Sequence, residues 1–166
     1  MNDHLTDNEY VQLRDFLSRE FGLFFEPSKL TFLENRILPF LKKKNFLDIN
    51  QLIAGIQNNP ENRAELIDTL TTNETWFFRH PRHFDILRED ILPGVIKERI
   101  KQNRREISVW SAGCSIGAEA YSIAITLAEN LPEPSTWKIR IIGSDISRQA
   151  VQRALEGVYT QTEVRL

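Results

Sequence analysis

Apolar positions in the first seventy residues recur at helical spacing. Tyr10, Leu13 and Leu17 form one stripe; Thr6 and Glu9 precede it as a capping box, and Gly22 closes it. Leu30, Leu33, Ile37 and Leu41 form a second stripe, which begins near Pro27. Pro39 lies inside it and predicts a kink or an early stop. A third helix is predicted over residues 48–57. Asn59-Pro60 opens a fourth that ends near Leu70. Helices this short persist only by packing on one another, so residues 1–70 are expected to form an all-helical unit.

Beyond residue 70 the pattern changes. Residues 80–92 read as a helix that can run past Pro93 to Ile100, and a basic, polar stretch then leads to Ile107-Ser108-Val109-Trp110, a run with strand character. Small residues follow over 111–119, then an amphipathic helix over 121–131 and a Pro-rich connection. A second apolar run over 139–144 ends in Asp145. A helix over 147–155 stops at Gly157, where a left-handed residue is expected. Residues 159–166 are polar and carry no assignment.

The order strand, small-residue turn, helix brings backbone N–H groups close to a ligand. An acid at the end of the second strand suits the two hydroxyls of a ribose. Three chemistries use such a turn. The dinucleotide fingerprint G-x-G-x-x-G fails, because Ser115 stands at its middle glycine. Gly113-Cys114-Ser115-Ile116-Gly117 does satisfy the nucleophile elbow G-x-S-x-G. That fold, however, places an acid and then a histidine after the serine, and His4, His80 and His83 all precede Ser115. The methyltransferase variant of the nucleotide fold tolerates a looser glycine pattern and wants acids beside the turn and after the second strand; Glu119 and Asp145 meet it. A plain strand–turn–helix without a ligand is the bland alternative.

A second segment weighs against that alternative. Thr71-Thr72-Asn73-Glu74-Thr75-Trp76-Phe77-Phe78-Arg79 sets polar residues before three aromatics and a cation. With the turn and Gly157-Val158-Tyr159, it resembles the chemotaxis-receptor methyltransferases, the CheR family. That family's pattern reads T-N-E-T-x-F-F-R, then S-A-G-C-S-x-G-E-E-P-Y-S, then a strand ending in Asp, then G-x-Y. The resemblance covers nearly the whole chain. Ala118 and Ala120 depart from it, where the family usually has Glu and Pro.

The resemblance implies an α/β protein. An N-terminal all-helical, substrate-docking domain (1–70) is followed by the first part of a Rossmann-like methyltransferase fold (71–166) with a truncated sheet. It implies S-adenosylmethionine as methyl donor, S-adenosylhomocysteine as product, and glutamate side chains of chemoreceptors as acceptors. It sets Asn73, Thr75 and Arg79 at the border of the cofactor, Glu119 near its amino-acid end and Asp145 on its ribose. Arg79 is the expected catalytic residue, orienting the incoming carboxylate. Each has a structural alternative: Asn73 and Thr75 as turn caps, Glu119 as a first-turn acid, Asp145 as the cap of the next helix, and Trp76, Phe77 and Phe78 as core. The family's later strands are missing, so the chain is expected to be a fragment that is inactive alone, with a strand edge open to self-association. A non-catalytic binding or scaffold module is the competing function.

Composition narrows these readings. The chain has 166 residues, 41% hydrophobic and 27% charged, which are ordinary globular values. A net charge of −2 offers nucleic acid no global attraction. The single Cys114 excludes an intramolecular disulfide and suits a reducing compartment. Met1-Asn2-Asp3-His4 is not a basic, apolar export signal, and no apolar run approaches the roughly 20 residues that span a bilayer. A cytoplasmic protein without membrane insertion is therefore expected, and no metal-ligand spacing occurs. One local charge pattern remains. Lys29, Arg36 and Lys43 lie seven apart, about 100° from the centre of the apolar face. They read as a solvated face or, by the resemblance, as a docking surface for an acidic helical region of the receptors.

Overall fold

A computed structural model of the chain describes residues 4–164. Met1, Asn2 and Asp3, read above for an export signal, lie outside the described residues, as do Arg165 and Leu166 at the end of the unassigned tail. The chain divides into two compact units, one ending at Thr71 and the other beginning at Thr72.

The first unit consists of α1 (Asp7–Phe21), α2 (Leu30–Lys44), α3 (Ile49–Asn58) and α4 (Pro60–Leu70). Local chemistry sets each boundary. The Thr6 hydroxyl accepts the Glu9 N–H, the Glu9 carboxylate accepts the Thr6 N–H, and Gly22 ends α1 in the left-handed region at φ 67°. Asp48 and Asn59 cap α3 and α4 through their side chains. Leu13, Leu17, Leu33, Ile37, Leu52 and Leu66 are fully buried in one core. Each contributes about 1.5–3 kcal/mol relative to an exposed position.

Pro39 neither kinks α2 to a stop nor shortens it; the helix runs on to Lys44. Proline removes the bond its N–H would make to the carbonyl of Asn35, one turn earlier. Asn35 and Pro39 both face solvent, where water can replace that bond. Ile37, Phe40 and Leu41 meanwhile hold both sides of the break in the core.

The second unit is mixed. α5 (Pro81–Ile86) passes through a π-helical turn (Leu87–Ile91) into α6 (Leu92–Lys101). In that wider turn the Leu92 N–H bonds to the Leu87 carbonyl, five residues back, just before Pro93, which has no N–H to donate. β1 (Glu106–Ala112), α7 (Ala118–Asn130), β2 (Lys138–Ser144), α8 (Arg148–Glu156) and α9 (Gln161–Val164) follow. α7 starts at Ala118, earlier than the expected 121, and the unassigned tail contains the short α9. β1 and β2 run parallel in register from Glu106↔Lys138 to Ala112↔Ser144. Phe84, Leu92, Ile107, Ile123, Leu127 and Trp137 form the core. The other face of the sheet is open: Trp110 and Ile142 pair across it and are 69% and 51% exposed.

Candidate functional site at the ends of the parallel strands

The turn between β1 and α7 is tied residue by residue to the end of β2. The N–H groups of Gly113 and Cys114 both donate to the Ser144 carbonyl, at 2.8 and 2.9 Å. The Ser115 N–H donates to Asp145 Oδ2 at 2.8 Å. The turn reaches these partners by entering the left-handed region at Gly113 (φ 74°), Ser115 (φ 49°) and Gly117 (φ 88°). For a serine that conformation is uncommon, and it persists where neighbouring bonds enforce it. Here the Ser115 hydroxyl also donates to the Asn73 carbonyl at 3.1 Å. A side chain added at Gly113 would meet nothing within 4 Å, so that stretch of backbone is open to a ligand.

Asp145 is half-buried and has two backbone partners. Its Oδ1 accepts the Ser147 N–H at 2.9 Å, closing a turn into α8, while Oδ2 holds Ser115. The cap of α8 is Ser147 and not Asp145, which closes the turn just ahead of it. Ser147 is fully buried; its hydroxyl accepts the Ala150 N–H at 3.1 Å and the Asn73 side-chain amide at 3.2 Å. Asn73 is in this way joined both to the turn and to the start of α8. Glu119, in the first turn of α7, is exposed, and its Oε1 accepts the Ser111 hydroxyl at 2.7 Å.

Cys114 is buried below the turn, and Gly143 leaves room for its sulfur; a Cβ at 143 would lie 2.9 Å from it. Burial, and then the charges of Asp145 and Glu119, push the Cys114 thiol above its ordinary pKa. It is a packed thiol and not an activated nucleophile.

Residues 72–79 pass beside this turn. Thr75, Trp76, Phe77 and Phe78 are half-buried. Phe77 packs edge-on against Tyr159 with ring centroids 4.9 Å apart, and Phe78 packs against Phe84 at 5.0 Å. Phe78 sits at φ 53°, where its N–H donates to the buried Ser122 hydroxyl at 3.0 Å. Phe77 and Phe78 therefore anchor the segment, as the core alternative holds. Arg79 is exposed; its guanidinium carbon lies 4.8 Å above the Trp76 ring, and its Nη1 donates to the Glu74 carbonyl at 2.7 Å.

A cleft of about 290 Å³ opens beside the turn, between α7 and α8; Cys114 and Gly117 of the turn line it together with Tyr121, Ile141, Gly143 and Ala154. None of Asn73, Thr75, Arg79, Glu119 and Asp145 lines it. Its walls are mostly apolar, with the Tyr121 side chain among them. Among the described residues no group of three or more His, Cys, Asp or Glu is close enough to hold a metal, and no helix is long and apolar enough to cross a membrane.

The cationic stripe of the helical unit is only partly free. Lys29 is exposed and lies in the 3₁₀ turn ahead of α2. Arg36 is half-buried; it donates to the Thr69 carbonyl at 3.1 Å and covers the Phe32 ring. Lys43 pairs with Glu65 at 3.0 Å, and Lys44 holds the same carboxylate at 2.6 Å. Those two lysines, Lys44 most strongly, keep the Glu65 carboxyl below its usual pKa.

Residues 73–166 match the family model described as CheR methyltransferase, SAM binding domain, and residues 8–71 match CheR methyltransferase, all-alpha domain. The chain belongs to the CheR methyltransferase family. It is 34% identical over 167 residues to the Chemotaxis protein methyltransferase of Borreliella burgdorferi, an alignment that covers 99% of this chain and 59% of that protein. It is 31% identical to the Chemotaxis protein methyltransferase 2 of Vibrio cholerae (97% and 56%) and 29% identical to the Chemotaxis protein methyltransferase of Escherichia coli (97% and 54%). The chain spans a little under three fifths of the length of the curated relatives it matches. Its architecture is accordingly the all-helical CheR domain followed by the S-adenosylmethionine-binding domain.

S-adenosylmethionine is the methyl donor that this CheR domain binds, and the residues at the turn fit it. Each Asp145 oxygen takes one backbone N–H in the bonds above and keeps acceptor capacity for a hydroxyl. Glu119 offers an exposed carboxylate held on the Ser111 hydroxyl, two residues ahead of the open backbone at Gly113. Sequence reasoning missed Ser147 and the bond from Ser115 to Asn73. The signal for Ser147 was present, because a serine two residues after the acid opens α8. The partnership with Asn73 was not, since 74 residues separate the two in sequence.

Proposed function

We propose that this chain carries the cofactor-binding and docking parts of a protein-glutamate O-methyltransferase that acts on chemoreceptors. The observation that carries the reading is Asp145 at the end of β2, fixed by the Ser115 and Ser147 amides beside an open glycine turn. In this role Asp145 accepts from the ribose hydroxyls, Glu119 serves the amino-acid end, and Asn73 and Thr75 border the cofactor. S-adenosylmethionine supplies a methyl group on a sulfonium.

A glutamate is ionised at neutral pH, since its ordinary pKa is about 4.3, so no strong base is needed. The acceptor carboxylate would be the nucleophile toward that methyl group, and no residue of this chain would have to give or take a proton. The protein's work is to align the acceptor and strip its water. Arg79, steadied over Trp76, is the group suited to orient that carboxylate through two parallel hydrogen bonds. The helical unit, residues 1–70, docks an acidic helical region of the receptor; Lys29 and Lys43 offer contacts, and Arg36 contributes charge from behind. On this reading the protein acts in the cytoplasm, which suits its single cysteine.

The test is transfer itself. The intact protein, incubated with methyl-labelled S-adenosylmethionine and a soluble receptor fragment, should give base-labile methyl esters on glutamates of that fragment. Cofactor binding without ester above background would replace the enzyme reading with the scaffold module.

A further inference from the structure

In the motif Gly157-Val158-Tyr159 the site described so far uses only the Tyr159 ring, as a support for Phe77. Gly157 ends α8 in the left-handed region, at φ 64°. The chain then turns back, and Tyr159 comes to rest against the cofactor turn, 43 positions away in sequence. The Tyr159 hydroxyl donates to the Ile116 carbonyl at 2.6 Å. Its ring packs on Phe77 at 4.9 Å and on Tyr121 at 5.8 Å, so one side chain touches the aromatic segment, α7 and the turn.

The next residue of the turn fits the same contact. Gly117 has φ 88°, and a Cβ there would lie 3.0 Å from the Tyr159 oxygen and 2.9 Å from the Ala154 Cβ. Only glycine suits both that backbone and that proximity. Two motifs that are distant in sequence are therefore complementary: a bare backbone at Gly117 and a hydroxyl brought over it by the turn at Gly157. Ile116 is itself buried and its carbonyl follows Ser115, the residue that binds Asp145.

We propose that Tyr159 is a positioning residue for cofactor binding: its hydroxyl clamps the turn at Ile116 and so holds the Ser115 amide on Asp145. This rests on the reading of the turn as the S-adenosylmethionine site. The hydroxyl stays protonated across the working range, because burial, and after it the charge of Tyr121, push it up to about 12. It therefore remains a donor to the carbonyl.

Tyr159→Phe in the intact protein tests the clamp, since it removes the oxygen and keeps the ring on Phe77 and Tyr121. Two measurements are made far below the melting temperature: the Kd of S-adenosylhomocysteine by calorimetry, and hydrogen exchange of the Ser115 and Gly117 amides without ligand. The clamp predicts roughly tenfold weaker binding and faster exchange at both amides, with a lowering of Tm of only a few degrees. A lower Tm with unchanged Kd and unchanged exchange would make Tyr159 a packing residue and overturn the proposal. If the unsubstituted protein fails to bind S-adenosylhomocysteine, the cofactor reading falls and with it the clamp's service to a cofactor. The exchange data still decide separately whether Tyr159 holds the turn.

Discussion

At the scale of single residues, Asp145 has two duties, and they separate by substitution. Its oxygens hold the Ser115 and Ser147 amides, and in the proposed role they also meet the ribose. Asp145→Ala removes a charged acceptor and should weaken S-adenosylhomocysteine binding about ten- to a hundredfold, with a lower Tm from the two stranded amides. Asp145→Asn keeps one acceptor oxygen and should fall between the two in both measurements. Calorimetry beside thermal melting checks it; an unchanged Kd for the alanine variant removes Asp145 from the site. Arg79 predicts the reverse pattern. A lysine can still reach the Glu74 carbonyl and lie over Trp76, but it cannot grip a carboxylate with a planar fork. Arg79→Lys should hold stability within about 0.5 kcal/mol while single-turnover methylation slows by ten- to a hundredfold. A large fall in Tm with an intact rate makes Arg79 structural. The residue types proposed for the site were legible in the sequence, because acids, glycines and the T-N-E-T segment carry their chemistry on their face. What each of them bonds was not: Asn73 reaches Ser147 and Ser115 across 74 and 42 positions, and spacing carries no record of such partners.

At the scale of elements, boundaries with a local cause were readable and those with a tertiary cause were not. The capping box at Thr6, the Asn59-Pro60 start and the Gly157 stop are chemistry within a few residues. Pro39 is the opposite case. A local rule ends α2 there; the core keeps it going, because Ile37, Phe40 and Leu41 are buried while the broken bond faces water. The bond's loss is then a cost still carried by the helix. Pro39→Ala supplies the missing N–H, but it also frees the unfolded chain, which offsets part of the gain. The helical unit should gain about 1–2 kcal/mol, less than the roughly 3 kcal/mol separating Pro from Ala inside an isolated helix. Denaturant unfolding with an unchanged m-value measures it, and a loss of stability would mean that the proline ring packs usefully where it stands. α6 meets the same problem at Pro93 by a different route, a wide turn of backbone placed just before the proline.

At the scale of the whole molecule, the decisive feature is the sheet. A parallel sheet is normally covered on both faces. Here, among the described residues, it has two strands, and Trp110 and Ile142 lie side by side on its open face. Ile123 and Leu127 of α7 pack with Ile107 on the other face, in the core of the unit. The turn proposed to hold the cofactor is thus supported from one side, while among the described residues the Trp110–Ile142 face is left exposed. The 166-residue chain should therefore bind S-adenosylhomocysteine detectably but transfer methyl groups at a small fraction of the rate of a chain extended to its relatives' length. The open face and free strand edges should also drive self-association as concentration rises. Sedimentation velocity and ester yield, measured on the same samples, test both parts. Trp110→Lys should reduce the association without restoring transfer, because it charges the exposed face and adds no sheet. A 166-residue chain that matched the longer one in ester yield would mean that two strands suffice to align the reacting groups and that residues of this chain alone enclose donor and acceptor.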